Sequence, residues 1–378
     1  MSSTALSGLE LRSEINATGQ LRLALVGVAI PEPTGDELVV RVEASPLNPA
    51  DIGLLLGHAD PATAAYEYGP DGPAVVLEIP PDQKAAMAAR AGESIRTGNE
   101  GTGVVIRAGA TATDMLGKTV AMSGGAMHAQ YRLIPKADCL VLPDGMEASD
   151  RASAIVNPFT ALTMLETMRG EGHSALIHSV GASNLGRMLI KLCREEGVGL
   201  VNIVRSEEQA QMLRGLGAVH ICDSSLASFA DDLEEACAQT GATLAFDAIG
   251  GEMTRQLLLG MERALARKLA SYSRYGSSVH KQIYVYGTLD LRPVAVDRSI
   301  GMAWGVGGWL WGPRFKRLES DVARHLTKRV IDNLGTTFAS HYSARISLEE
   351  VLEPDILRAY ARRSTGEKYL ICPQKPLG

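Results

Sequence analysis

The stretch with the clearest chemical meaning is "SVGASNLGRMLIKLC", residues 179–193. Gly181 and Gly186 occupy the first and third positions of the G-x-G-x-x-G pattern, whereas Ser183 occupies the middle position. In that pattern a turn between a strand and a helix presents backbone amides to a pyrophosphate, and the positive end of the helix dipole favours the negative charge. Ser183 is compatible with this role only if its side chain points away from the ligand or hydrogen-bonds to it.

The residues on both sides of the turn favour a phosphate site over an ordinary loop. A short apolar run precedes the turn and is typical of a buried strand. After it, apolar residues recur at helical spacing: Leu185, Met188, Leu189, Leu192 and Cys193. Such a stripe packs a helix against a sheet and leaves its first amides free to bind a ligand. The predicted phosphate-binding residues are Gly181, Ala182, Ser183, Asn184, Leu185 and Gly186.

The end of the next apolar run, residues 199–204, carries the side chains that distinguish two dinucleotides. Arg205 and Ser206 follow this run. A carboxylate at this point binds the ribose of NAD, whereas a guanidinium suits the 2′-phosphate of NADPH. Arg205 could instead be a solvated surface residue. In that case the role of Ser206 would be limited to capping the next helix, in a capping box with Gln209. The pattern favours NADPH, while the two glutamates at 207–208 leave NADH open.

Two patterns of secondary structure divide the chain. Up to about residue 150, short β-rich runs punctuated by glycine favour a twisted antiparallel or barrel-like domain, with a short Ala-rich helix over 81–95. From residue 151 strands and helices alternate, which is typical of a doubly wound parallel sheet. The predicted strands of this second part are 174–179, 199–204, 218–223, 242–251 and 282–290.

Composition narrows the class of protein. The net charge of −6 over 378 residues argues against binding to nucleic acid or to an anionic membrane. The five cysteines form no C-x-x-C pair, and their odd number fits a reducing cytosol better than a disulfide framework. The chain shows no apolar leader and no run of about 18 apolar residues, so we expect a cytoplasmic protein.

Seven motifs resemble, in the same order, those of the medium-chain dehydrogenase/reductase superfamily, in its zinc-free quinone oxidoreductase and enoyl thioester reductase branches. They are "SPLNPADIGLLLG" (45–57), "TGNEGTGVV" (97–105), "NPFTALTML" (157–165), "HSVGASNLGRML" (178–189), "FDAIGG" (246–251), "YVYGTL" (284–289) and "STGEKYLICP" (364–373). The resemblance implies an α/β protein with two domains and usually a homodimer. A GroES-like β-rich catalytic domain would span 1–150 and 320–378, and a Rossmann domain 151–319.

The resemblance also implies roles for single residues. Asn48 would donate a hydrogen bond near the nicotinamide carboxamide or the substrate oxygen, Asp51 would orient that segment, and Thr160 would lie beside the nicotinamide. Each has a simpler interpretation: Asn48 could bond its own turn before Pro49, Asp51 could cap a helix, and Thr160 could bond the helix backbone. Further cofactor contacts are implied at Ile249, Tyr286 and Gly287.

The same resemblance bears on metal binding. In the metal-dependent relatives, thiolates and imidazoles hold a catalytic ion, but the matching positions here are Asn48, Asn99 and the region of Val156–Asn157. Zn²⁺ would therefore lack good ligands, and we expect no metal. Without a Lewis acid, the expected reaction is hydride transfer from NADPH to an activated acceptor, a quinone or a conjugated enone.

Two departures from the family pattern leave alternatives open. Gly53 and Ala59 stand where the quinone and enoyl reductases carry tyrosines, and His58, Tyr66 and Tyr68 nearby are weak substitutes. The first alternative function is a 2-enoyl thioester reductase whose CoA phosphates could meet the basic residues of 263–281, although solvated helix charges explain them as well. The second alternative is a crystallin-like protein that binds NADPH with little turnover.

Overall fold

The structure, a computed structural model, describes residues 5–69, 72–143, 145–364 and 366–376. Thr365 of the last family motif and residues 70–71 lie outside the described residues. The chain forms two compact units: the first comprises Met1–Val156 and Ala339–Gly378, and the second comprises Asn157–Phe338.

The elements of the described residues follow in chain order. The strands are β1 (Leu6–Ile15), β2 (Leu21–Ile30), β3 (Glu37–Pro46), β4 (Ala65–Gly69), β5 (Gly72–Leu77), β6 (Ile95–Arg96), β7 (Glu100–Ala108), β8 (Thr119–Ser123), β9 (Tyr131–Pro135), β10 (Cys139–Val141), β11 (Ala175–His178), β12 (Gly199–Val204), β13 (His220–Asp223), β14 (Leu244–Asp247), β15 (Lys281–Val285), β16 (Trp304–Gly308), β17 (Ala344–Ile346) and β18 (Tyr369–Ile371). The helices are α1 (Pro49–Leu56), α2 (Lys84–Met87), α3 (Val156–Gly170), α4 (Asn184–Glu196), α5 (Glu207–Gly215), α6 (Phe229–Thr240), α7 (Gly251–Ala266), α8 (Trp311–Phe315), α9 (Ser320–Asp332) and α10 (Pro354–Ala361).

The first unit is built from two mainly antiparallel sheets, in agreement with the β-rich pattern of its sequence. One sheet has the order β4-β5-β2-β1-β6, and the other has the order β10-β8-β7-β3-β18-β17 with β9 also paired to β3. The carboxyl-terminal strand β18 pairs with β3 through Leu370 and Ile371, so the two ends of the chain share one sheet. The Ala-rich segment 81–95 forms only the short α2, flanked by two 3-10 turns.

The second unit contains the parallel sheet that the alternating pattern predicted. Its order is β13-β12-β11-β14-β15-β16, and every neighbouring pair is parallel. Helices α6 and α7 bury their apolar faces on this sheet around Leu257, Leu258 and Met261, which are fully buried. Strand β16 was not predicted, because its sequence "WGVGG" lacks an apolar run. The predicted fold class is confirmed.

Residues 320–338 lie in the second unit, whereas the sequence placed the domain boundary at 319/320. The connections of this segment to α4 explain the difference. Arg329 pairs with Glu195 and Glu196, and Thr337 Oγ1 donates to Glu195 Oε1 at 2.7 Å. Such long-range ion pairs leave no local signal in the sequence. The other boundary was placed at 150/151 from the sequence. In the structure it lies at 156/157, at the start of α3.

None of the helices in the described residues has the length and hydropathy needed to cross a bilayer.

Candidate functional site

The turn between β11 and α4 is held by close contacts between glycines. A Cβ atom on Gly186 would lie 2.1 Å from the carbonyl oxygen of Gly181, and one on Gly181 would lie 2.9 Å from the Cβ of Asn202. The amide of Gly181 donates to the carbonyl oxygen of Ile203 at 2.8 Å, which fixes the turn to β12. Both positions therefore require glycine for helix and strand to pack this closely.

Ser183, at the middle position of the pattern, caps the helix. Its Oγ accepts the amide of Gly186 at 3.0 Å, with the backbone of Ser183 in an extended conformation. The side chain is therefore turned towards its own helix. The predicted stripe Leu185, Met188, Leu189, Leu192 and Cys193 is buried. The amides at the start of a helix have no acceptor within the helix itself, so the N-terminus of α4 is a position that favours an anion.

The end of β12 presents an exposed guanidinium. Arg205 is exposed, and its backbone amide donates to Gln209 Oε1 at 3.1 Å. Ser206 is the N-cap of α5 and accepts the amide of Gln209 at 3.4 Å. The predicted cap is present, but the Gln209 side chain returns to Arg205 rather than to Ser206 as a capping box would require.

The two glutamates after Ser206 differ in their partners. Glu207 forms an ion pair with Arg214 at 2.7 Å, so its charge is already compensated. The hydroxyl of Ser206 hydrogen-bonds to Glu208 and lowers the pKa of that carboxyl. Among the described residues no carboxylate forms an ion pair with Arg205, which leaves its guanidinium available to a phosphate.

The remaining predicted cofactor residues in the sheet lie at the ends of β14 and β15. The amide of Ile249 donates to Asp247 Oδ1 at 2.8 Å, and the amide of Tyr286 donates to the carbonyl oxygen of Asp247 at 2.9 Å. A Cβ atom on Gly287 would lie 2.8 Å from the carbonyl oxygen of Ala248. Because β12, β11, β14 and β15 are neighbours and parallel, these residues share the carboxyl edge of the sheet with the glycine turn.

Tyr286 also closes a buried polar contact. Its hydroxyl lies 2.7 Å from Nε2 of His178, the last residue of β11, and the two rings are stacked with centroids 6.0 Å apart. Burial lowers the pKa of His178 to about 3, so this histidine is neutral at physiological pH. The contact joins the ends of two strands at the edge where the cofactor residues lie.

Thr160 is buried on α3. Its neighbour Phe159 stacks on Trp311 with ring centroids 5.5 Å apart and contacts Phe315 edge-on at 5.0 Å. Both aromatic residues belong to α8, which follows the carboxyl end of β16. The first turns of α3 are therefore at the same edge of the sheet as the other predicted cofactor residues.

In the first unit, Asn48 and Asp51 belong to a buried hydrogen-bonded cluster around Glu100. Asn48 Nδ2 donates to Glu100 Oε1 at 2.9 Å, and the amide of Asn48 donates to Asp51 Oδ2 at 2.9 Å. The other oxygen of each carboxylate accepts a hydrogen bond from the backbone. Asp51 Oδ1 accepts the amide of Asn99 at 2.7 Å, and Glu100 Oε2 accepts the amide of Val156 at 2.8 Å. The cluster joins the starts of three elements: α1 at 48–51, β7 at 99–100 and α3 at 155–156.

Burial and charge set the protonation of this cluster. Burial raises the pKa of Asp51 to about 7, although the amide hydrogen bonds from Asn48 and Asn99 act to lower it. Burial also raises the pKa of Glu100, while the charge of Lys368 acts in the opposite direction. Asp51 therefore changes protonation near neutral pH.

Glu100 and Lys368 provide charges within and beside this cluster, and neither was predicted as a site residue from the sequence. Lys368 Nζ donates to Ser153 Oγ at 2.6 Å, and Tyr342 Oη donates to the same atom at 3.0 Å. Both missed residues stand inside family motifs, "TGNEGTGVV" and "STGEKYLICP". A charged residue is normally exposed, so only the contacts reveal that Glu100, the first residue of β7, is fully buried.

The cluster contains the positions that correspond to the metal ligands of zinc-dependent relatives. Asn48 offers an amide, Asn99 contributes its backbone amide, and the carboxylates of Asp51 and Glu100 already accept N–H donors. Zn²⁺ prefers thiolate and imidazole ligands, so this donor set does not fit the ion. No group of three metal-binding side chains occurs among the described residues.

The tyrosines and histidine that could replace the missing family tyrosines are scattered in the first unit. Tyr66 and Tyr68 lie on the edge strand β4, where Tyr66 Oη donates to Glu349 at 3.4 Å and Tyr68 is 77% exposed. His58 is half-buried just after α1.

In the basic stretch, Arg267 pairs with Glu235 at 2.8 Å, whereas Arg263 and Arg274 line a cavity of about 490 Å³.

Known proteins resemble this chain in sequence and in fold. No family model matches the chain. A mitochondrial enoyl-[acyl-carrier-protein] reductase of Xenopus tropicalis is 26% identical over 314 residues, covering 79% of this chain and 76% of the relative. The crystal structure of a candidate NADPH:quinone reductase from Mesorhizobium loti has a TM-score of 0.73 at 20% identity and covers 99% of this chain and 100% of its own.

A second similar structure holds ligands. Etr1p, solved with NADP and crotonyl-CoA, has a TM-score of 0.66 at 19% identity and covers 97% of this chain and 100% of its own. The resemblance inferred from the seven motifs is confirmed. The chain has the fold of the medium-chain dehydrogenases/reductases, and the proteins it resembles are their quinone oxidoreductases and enoyl reductases.

Proposed function

We propose that this chain is an NADPH-dependent, metal-free reductase that transfers hydride to a quinone or a related conjugated carbonyl. The observation that carries the proposal is the turn at Gly181–Gly186, in which two glycines pack in contact and Ser183 caps α4. This turn lies at the carboxyl edge of the parallel sheet, together with Arg205, Ile249, Tyr286 and Gly287. The comparison proteins named for NADPH:quinone reduction and for NADP binding support it.

In the proposed cofactor site, separate groups of residues bind the separate parts of the dinucleotide. The turn residues Gly181, Ala182, Ser183, Asn184, Leu185 and Gly186 bind the pyrophosphate, and Arg205 with Ser206 binds the 2′-phosphate. Thr160, Ile249, Tyr286 and Gly287 contact the nicotinamide half. When bound, the reduced nicotinamide supplies the hydride. Because no carboxylate pairs with Arg205 among the described residues, NADPH is preferred over NADH.

Asn48, Asp51 and Thr160 are the residues proposed to serve the reaction. One N–H of the Asn48 amide is held by Glu100, which leaves the second N–H to donate to an oxygen of the bound ligand. Asp51 fixes the backbone of Asn48 and acts as a positioning residue. A donor at the acceptor's oxygen stabilises the negative charge that hydride addition creates.

The proposed acceptor follows from the donor set of the buried cluster. The cluster has no site that fits Zn²⁺, and a simple ketone or alcohol would then lack Lewis-acid activation. A quinone or enone spreads the incoming charge over oxygen and carbon and depends less on such activation. Elemental analysis of the purified protein is expected to find less than one zinc per chain, and one stoichiometric zinc would contradict the metal-free proposal.

The enoyl thioester alternative rests on the enoyl reductases among the similar proteins. The basic stretch does not add to it: Arg267 is paired with Glu235, and Arg263 lies in the last turn of α7, the helix that precedes β15. That position is at the edge of the sheet opposite the glycine turn.

Free cysteines in the described residues support a cytoplasmic location, and the open edge strand β16 supports a homodimer.

One assay separates the candidate functions. NADPH oxidation is followed with a panel of quinones, enones and enoyl-CoA esters, at equal concentrations and with enzyme-free controls. Turnover with quinones or enones supports the proposal, and turnover confined to enoyl-CoA supports the alternative. NADPH binding without oxidation by any acceptor would replace both with a crystallin-like binding protein.

A further inference from the structure

Arg187, in the first turns of α4, carries a buried polar atom without a partner. Its Nε is buried and has no hydrogen-bond partner, although the residue as a whole is half-buried. Burial lowers the pKa of Arg187, and no neighbouring charge in the described residues counteracts that effect. The guanidinium is thus a partly dehydrated cation without a carboxylate.

The other charged residues of α4 differ in this respect. Lys191 Nζ donates to the carbonyl oxygen of Thr336 at 2.8 Å, and Arg194 donates to the carbonyl oxygen of Leu216 at 2.6 Å. Glu195 and Glu196 are paired with arginines of neighbouring elements. The acidic groups of this helix are therefore already compensated, and none is left for Arg187.

The position of Arg187 relates it to the glycine turn. It is four residues after the N-cap Ser183, one helical turn along the same face. Because the Cα–Cβ bonds of a helix lean towards its N-terminus, a long side chain at this position extends over the first turn. We therefore expect the guanidinium to approach the amides at the start of α4.

An unpaired cation next to a helix N-terminus concentrates positive potential where the helix dipole already has its positive end. Burying such a charge without a partner is unfavourable unless a ligand supplies the opposite charge. We infer that Arg187 binds the pyrophosphate of the dinucleotide together with the amides of α4. The inference rests on the proposed function and adds to it a residue that the glycine pattern does not include.

The inference separates two arginines by the part of the dinucleotide that each binds. The pyrophosphate occurs in both NADPH and NADH, whereas the 2′-phosphate occurs only in NADPH. Replacing Arg187 is therefore expected to weaken both nucleotides by a similar factor. Replacing Arg205 is expected to weaken NADPH far more than NADH.

The test compares dissociation constants of NADPH and NADH for the full-length protein and three variants. Arg187→Met keeps the apolar stem and removes the charge, Arg187→Lys keeps a charge without the fork of donors, and Arg194→Met removes a charge elsewhere on α4. For Arg187→Met we expect about tenfold weaker binding of both nucleotides. Arg187→Lys should recover part of the loss, and Arg194→Met should stay within about twofold of the original protein.

Thermal unfolding without nucleotide distinguishes a ligand-binding role from a structural one. Removing an uncompensated charge should leave the Tm of the Arg187→Met protein equal or higher, whereas a structural arginine would lower it. Unchanged binding of both nucleotides by Arg187→Met would overturn the inference while the proposed function stands. If Arg187→Met does not fold, the arginine is structural and the inference is equally overturned. Failure of the unaltered protein to bind either nucleotide would remove the proposed function itself.

Discussion

The Cβ position of Gly186 lies 2.1 Å from the carbonyl oxygen of Gly181, so no side chain fits at residue 186 without moving the turn. The first and third glycines of the pattern thus serve each other: one forms the turn and the other lets the helix approach it. The middle position has no such restriction, which explains why Ser183 is accommodated there. The close packing of the turn therefore depends on the two outer glycines.

Gly186→Ala is expected to destabilise the second unit and to weaken nucleotide binding. Inserting one methyl group against a backbone carbonyl costs about 1–3 kcal/mol and would displace the amides that we propose to bind the phosphate. Thermal unfolding and an NADPH titration measure the two effects. Gly215→Ala is the matched control, because Gly215 lies in helix α5 with no atom within 4 Å of its Cβ position. Equal stability and equal binding of the two variants would contradict the packing argument.

Glu100 is expected to be essential for the stability of the first unit. Glu100→Ala would leave the amides of Ile155 and Val156 and the side-chain amide of Asn48 without their acceptor. Unsatisfied buried donors cost about 1–3 kcal/mol each, so we expect a loss of at least about 2 kcal/mol in the free energy of unfolding.

Urea denaturation of Glu100→Ala beside Glu93→Ala tests this expectation. Glu93 is exposed and close in sequence, so its replacement controls for the loss of one carboxylate. An equally small change in both variants would show that the buried cluster does not hold the three segments together.

Asp51 predicts a pH dependence of stability. Its pKa is about 7 in the folded protein because it is buried, and about 3.9 in an unfolded chain. Between these values the folded state holds a proton that the unfolded state releases, so the free energy of unfolding falls as the pH rises through this range. Above pH 8 the contribution is constant.

Comparing the original protein with Asp51→Asn isolates this titration. From pH 5 to pH 8, the stability of the original protein relative to Asp51→Asn should decline by about 2–3 kcal/mol. Asp36→Asn, at an exposed position, serves as control. Parallel pH profiles of the original protein and Asp51→Asn would contradict a raised pKa.

The sequence predicted the second unit better than the buried cluster, for a physical reason. Parallel strands buried on both faces appear as apolar runs, and residues 199–204 match β12 without an offset. The glycine turn is local, so spacing alone reveals it. By contrast, Glu100 acquires its role only when segments more than fifty residues apart meet, and the partners of Arg329 lie on another helix. Local patterns contain no information about such contacts.

Arg205→Asp is expected to reverse the preference between the two nucleotides. A carboxylate at the end of β12 repels a 2′-phosphate and can accept a ribose hydroxyl, so NADPH affinity should fall at least tenfold more than NADH affinity. Fluorescence titrations with both nucleotides measure the ratio. Arg263→Asp, at the opposite edge of the sheet, should leave the ratio unchanged. Equal losses for NADPH and NADH in Arg205→Asp would overturn the assignment of the 2′-phosphate site.

The most direct test of the central claim is a titration of the purified protein with NADPH and, separately, with NADH. The glycine turn and Arg205 predict saturable binding of one nucleotide per chain, with NADPH bound more tightly than NADH. Absence of binding by both reduced nucleotides would contradict the dinucleotide site and, with it, the proposed reductase.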